Sequence, residues 1–196
     1  ITAEAEEDIK RLGGVGDESI VDSVWRITQR RFVWLLINLG TAILASIVIG
    51  AFDATIEQMV ALAILMPIVA SMGGNAATQT MTVAVRALAT KDLGAVNAGR
   101  IIGREALVGL INGVLFAVLL AVVAYVWFSS AELGVIIAIA MVINMAVAAL
   151  AGILVPMGLE RAGIDPAIAS SVFVTTVTDV VGFFAFLGLA ALWLSA

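Results

Sequence analysis

From residue 33 onward the chain is a succession of unbroken apolar stretches joined by short polar connections. An α-helix rises 1.5 Å per residue, so about 20 apolar residues cross a hydrocarbon core about 30 Å thick. Each stretch therefore predicts one spanning helix, at about 33–51, 59–89, 101–128, 133–159 and 167–194. The second carries Gly73-Gly74-Asn75, where an interruption is expected before the helix resumes. Strands of an outer-membrane barrel would alternate apolar and polar residues with a period of two, which these stretches do not do. Connections this short favour antiparallel neighbours in a bundle.

Residues 19–32 have a different pattern. Ile20, Val21, Val24, Trp25, Ile27 and Phe32 recur at helical spacing, with Asp22, Arg26 and Arg30 on other faces. This fits a helix at headgroup level anchored by Trp25 and Trp34; a cytosolic extension of the first span fits equally well. Residues 1–18 hold six acids against Lys10 and Arg11 and are too short to fold alone. No basic segment or cleavage site precedes the first apolar run, so no signal peptide is expected. The chain divides into 1–32, the end of a cytosolic linker plus an amphipathic plug or interfacial helix, and 33–196, a five-helix transmembrane domain.

Composition agrees with the pattern. Hydrophobic residues make up 62% and charged residues 13% of the 196, against about 45–50% and about 25% in soluble domains. All ten Lys and Arg residues fall before span one, at or between the facing ends of spans two and three, or between spans four and five. The other two connections carry only Asp53, Glu57 and Glu132. The positive-inside rule places the N terminus in the cytoplasm and the C terminus outside. The chain contains no Cys and no His. That excludes disulfides, thiolate or imidazole metal sites, and a Ser–His pair. With one intramembrane Asp per chain and basic residues confined to membrane-flanking loops, neither an enzyme nor a nucleic-acid binder is expected.

The candidate chemistry is carried by oxygen. Asp179 lies about 18 Å into span five, where a charged carboxylate costs a few kcal/mol or more (~3 at the helix centre) unless it is paired, hydrated or neutralised. No Lys or Arg sits at that depth, so Asp179 is either protonated or faces water and a cation. Ser171 and Thr175 share its face at spacings of four. On span two, Pro67, Gly73, Gly74, Asn75 and Gln79 lie at membrane depth. Irregular backbone is tolerated there only against protein or a cavity. Counting inward, Gly74 falls near the level of Ser171–Thr175, so the two segments are expected to face each other. Oxygen donors select hard cations: Mg²⁺, Ca²⁺, Mn²⁺, Na⁺ or H⁺. A two-fold dimer would bring two Asp179 side chains to one hydrated divalent ion. Gly99/Gly103 and Gly109/Gly113 are two small-xxx-small pairs, candidates for close helix contact.

Pro67…Gly73-Gly74-Asn75…Gln79, then Arg86-Ala87-Leu88-Ala89-Thr90, and Asp165-Pro166-Ala167…Thr175-Thr176-Val177-Thr178-Asp179-Val180-Val181-Gly182 resemble the hallmark stretches of the MgtE family of magnesium channels and transporters. The resemblance covers essentially all 196 residues. It implies an all-α homodimer in the inner membrane, five spans per subunit, with spans two and five lining a central Mg²⁺ path. It implies that Asp179 holds the hydrated ion, helped by the Thr175 carbonyl and by Ser171, Asn75, Gly73 and Gly74. Residues 4–9 resemble the end of the family's paired CBS domains and the start of its plug helix, with Glu7, Asp8 and Asp165 sharing a regulatory Mg²⁺. The rest of the CBS pair and the acidic N-terminal domain are expected in the full-length protein. Val172 stands where many relatives carry proline, and Ser171 where some carry asparagine. The leading expectation is a Mg²⁺ channel; the alternative is a proton- or sodium-coupled carrier using Asp179.

Overall fold

The computed structural model describes residues 21–91 and 98–195. Six helices follow in order: α1 Val24–Gly50, α2 Asp53–Gln58, α3 Ala61–Ala89, α4 Ala98–Phe128, α5 Ala131–Arg161 and α6 Pro166–Ser195. Five of them, all except α2, are long and apolar enough to cross a membrane. With no water in a bilayer core, backbone groups must bond within their own segment, and an α-helix does this completely.

The helix ends follow local chemistry. Ser130 caps α5 by accepting a hydrogen bond on its hydroxyl from the Leu133 N–H at 3.2 Å, with Glu132 in the first turn complementing the helix dipole. At the other end of α5, Gly163 takes φ +73°. That lets the Gly163 N–H reach the Glu160 carbonyl and the Ile164 N–H the Leu159 carbonyl, closing the helix. Asp165 then accepts from the Ala167 N–H at 2.9 Å, and Pro166 opens α6 at the position that needs no donor.

Two sequence expectations change here. Residues 24–32 continue into the first span as one helix without a break, so the extension is what forms over those residues. Residues 1–20 lie outside the described set. The expected interruption at Gly73-Gly74-Asn75 is absent: α3 runs through it, and through Pro67, as regular helix. Gly73 is needed for what approaches from outside the helix.

The centre of the bundle is α5. It packs against α3, α4 and α6, and α3 also packs on α6. Over its most apolar window 56% is buried, against 6% for α1, which leans mainly on α6. The main core joins Leu62, Leu65 and Val69 of α3 to Ile136, Ile137, Met141 and Met145 of α5 and Phe186 and Leu187 of α6. The short α2 folds over α6, with Phe52 edge-on to Phe184 at 5.8 Å between ring centres.

Candidate functional site

Near mid-height, α3, α5 and α6 converge on one side chain, Asn144 of α5, which is fully buried. Its amide nitrogen donates to the Val69 carbonyl of α3 at 2.8 Å. A Cβ on Gly73 would collide with that nitrogen and lie 2.9 Å from Asn144 Cγ; a Cβ on Gly182 would lie 2.8 Å from the nitrogen. The two glycines form a slot that admits the amide. Sequence reading missed Asn144. Its signal was that it is the lone amide in an otherwise apolar span, flanked by Ile143 and Met145.

This junction also corrects the expected depths. It sets Gly73 level with Gly182, one turn beyond Asp179, rather than with Ser171–Thr175. The earlier count assumed that both helices end at the hydrocarbon boundary. With 29 and 30 residues, each is about 45 Å long, well beyond a core of about 30 Å, so depths counted from opposite ends do not match.

Ser171, Thr175 and Asp179 share one half-exposed face of α6. The hydroxyls there are engaged by their own helix. Thr175 Oγ1 donates to the Ser171 carbonyl at 2.9 Å, Thr176 Oγ1 to the Val172 carbonyl, and Thr178 Oγ1 to the Thr175 carbonyl at 2.9 Å. Together with the helical N–H of Asp179, this engages both lone pairs of the Thr175 oxygen. The Asp179 carboxylate has no such arrangement: among the described residues it makes no hydrogen bond and no ion pair. No group of three or more carboxylates gathers anywhere among the described residues.

On α3, Ser71, Asn75, Thr78 and Thr82 form an exposed polar stripe at spacings of four, three and four. Asn75 Nδ2 donates to Ser71 Oγ at 3.4 Å, Thr78 Oγ1 to the Gly74 carbonyl at 2.8 Å, and Thr82 Oγ1 to the Thr78 carbonyl at 2.8 Å. Gly74 is half-buried, with nothing within 4 Å of a would-be Cβ, whereas Gly73, about 100° round the helix, is buried. Of the predicted set, Ser171, Thr175 and Asp179 thus share an open face, Gly74 and Asn75 border another, and Gly73 points into the packed interior.

At the Lys/Arg-rich end, Asp165 and Glu160 line a cavity of about 200 Å³ with Val85, Leu88 and Ala89 of α3. Glu7 and Asp8, expected to share an ion with Asp165, lie outside the described residues.

The chain is similar in sequence to known proteins. The family model MgtE, described as a divalent cation transporter, matches residues 66–189. A magnesium transporter MgtE of Enterococcus faecalis is 33% identical over 194 residues, covering 99% of this chain and 43% of the relative. That of Bacillus subtilis is 30% identical over 191 residues, covering 97% and 42%. The Thermus thermophilus protein of the same name is 34% identical over 202 residues, covering 100% and 44%. The chain spans less than half the length of these relatives.

Proposed function

The chain belongs to the MgtE family of divalent cation transporters, a family of transporters rather than enzymes, and from that premise we propose that it forms the pore of a homodimeric Mg²⁺ channel. The observation that carries the proposal is Asp179: a carboxylate in the middle of α6, half-exposed, without a partner among the described residues. An unpaired charge at that depth is expensive. A second copy related by a two-fold axis relieves the cost when the two carboxylates share a cation. The exposed stripe of α3 is a second polar surface for a partner copy to cover, because hydroxyls and amides turned to lipid gain nothing that water would supply.

In this mechanism Mg²⁺ keeps most of its water, since it dehydrates reluctantly and binds through one or two carboxylates. The two Asp179 groups supply the charge. Ser171, Thr175, Asn75 and the backbone at Gly74 contact the water shell. Gly73 acts indirectly, by admitting Asn144 so that α3 and α6 stay in register. The Thr175 carbonyl becomes available to water when Thr178 Oγ1 turns away. The N terminus is cytoplasmic in the inner membrane, and the ion enters toward the Lys/Arg-rich end. Glu7, Asp8 and Asp165 form a regulatory Mg²⁺ site, with the CBS and acidic domains of the full-length protein acting on the same end.

The test is uptake into proteoliposomes. Asp179→Asn is expected to abolish Mg²⁺ uptake while the protein still inserts and dimerises; undiminished uptake contradicts the proposal. Uptake by the unmodified protein should follow voltage and the Mg²⁺ gradient. Strict dependence on a pH or Na⁺ gradient instead would establish the carrier.

A further inference from the structure

α4 meets the bundle along one side. A Cβ at Gly109 would lie 2.9 Å from the Met145 carbonyl oxygen of α5, and one at Gly113 3.2 Å from the Val142 Cα. Ala117 and Ala124 continue this buried side. α4 scarcely touches α3, and a cleft of about 230 Å³ opens between the two. The side of α4 turned away from α5 is therefore open along the whole helix.

That side is a single column at spacings of three and four: Arg100, Arg104, Leu107, Ile111, Leu115 and Val118, all exposed. Tyr125, also exposed, closes it at the far end. Arg104 and Tyr125 are 21 residues apart, a rise of about 31 Å, which matches a hydrocarbon core of about 30 Å. With Tyr125 at one headgroup level, where tyrosine is enriched, Arg104 stands at the other. Arg100 lies about 6 Å further out.

Neither guanidinium has an ion pair or hydrogen bond among the described residues, whereas Arg26 and Arg30 share Asp22. The only acid of α4, Glu105, is turned toward α3, where its Oε2 accepts from Thr80 Oγ1 at 3.2 Å. Two uncompensated positive charges thus sit at the membrane boundary, directly above an apolar column. Guanidinium groups bind phosphate oxygens through paired, charge-assisted hydrogen bonds. A zwitterionic lipid brings its own ammonium and leaves the pair uncompensated. An anionic phospholipid neutralises it and lays its chains on the column, which free phosphate or an acidic peptide would leave unused.

We propose that this face of α4 binds an anionic phospholipid of the leaflet bordering the Lys/Arg-rich end, one per chain. The phosphate is held between Arg100 and Arg104, and the acyl chains lie against Leu107 and Ile111. The site is independent of the role given to Asp179 and of the ion carried. Each arginine near an anionic surface contributes about a fivefold preference, so the pair gives about thirtyfold.

The chain has no Cys, so Leu107→Cys places a single bimane fluorophore beside the site in protein reconstituted into bilayers. Quenching by phosphatidylglycerol with brominated chains is compared with quenching by brominated phosphatidylcholine. The expected relative affinity is about thirtyfold in favour of phosphatidylglycerol, falling to about one when Arg100→Gln and Arg104→Gln are added. Equal quenching by the two lipids with both arginines present overturns the site, as does a preference that survives both substitutions. Quenching by neither lipid would show that protein covers the face, and overturns it too. A bimane at Val118→Cys, about 21 Å along the column from Arg104, should show no preference. A preference there equal to that at residue 107 would mark a general attraction and overturn the local site.

Discussion

Asn144 and Asp179 are both polar side chains near mid-height in long apolar helices, one helical turn apart in level, yet their surroundings are opposite. Asn144 is sealed between Gly73 and Gly182 and bonded to the Val69 carbonyl. Asp179 is half-exposed and unpartnered among the described residues. A neutral amide can be held by one neighbouring carbonyl and a slot shaped for it, even with its Oδ1 left unpartnered. A carboxylate cannot, because its charge needs either a counter-charge or water. Polar residues inside a membrane protein thus divide into those that hold helices together and those that need something from outside the chain.

Four substitutions separate the two kinds. The largest effect on transport is expected from Asp179→Asn, with uptake falling to background and thermal stability in detergent unchanged. Parallel loss of stability would place Asp179 with the helix-joining group. Gly73→Val should act in the reverse sense, since its side chain must displace Asn144. Overpacking of this kind costs about 1–3 kcal/mol, and uptake should fall only as far as the amount of folded protein falls. Asn144→Leu comes next. The interhelical hydrogen bond it removes is worth about 0.6 kcal/mol on average in membrane proteins, and Asn144 Oδ1 has no partner to lose. A small drop in melting temperature is the expected result, with Mg²⁺ uptake retained. Gly103→Ala should do least. Nothing lies within 4 Å of a Cβ there, and alanine favours the helix by up to about 1 kcal/mol; destabilisation would reveal a contact from a second copy. Gly99, its partner in the first small-xxx-small pair, is equally open, whereas the Gly109/Gly113 pair does meet α5.

The five spans were legible because the bilayer imposes a length and a helical backbone before any tertiary contact exists. Observed ends agree closely with expectation: 101–128 became Ala98–Phe128, and 167–194 became Pro166–Ser195. The short α2, Asp53–Gln58, was not foreseen. Six residues in a connection carry too little periodicity to announce a helix. Asp179, Thr175 and Ser171 were found because a carboxylate and hydroxyls in an apolar run stand out in one dimension. Asn75 was singled out with them, but its place beside Gln79, Thr80 and Asn112 needed α4 in position.

Sequence alone determined the solvent, the number of crossings, the segregation of Lys and Arg to alternate connections, and the residue whose charge requires an explanation. The first, second and last follow from the free energy of moving a residue type into hydrocarbon, which is independent of neighbours, and the third from the bias of Lys and Arg toward one side of the membrane. Tertiary structure decided that Gly73-Gly74-Asn75 stays helical, that Gly73 and Gly182 receive Asn144, and that α3 and α4 stand apart around a cleft. Those outcomes depend on which surfaces fit at distances of a few ångströms, and shape complementarity between distant segments leaves no periodic trace in a chain.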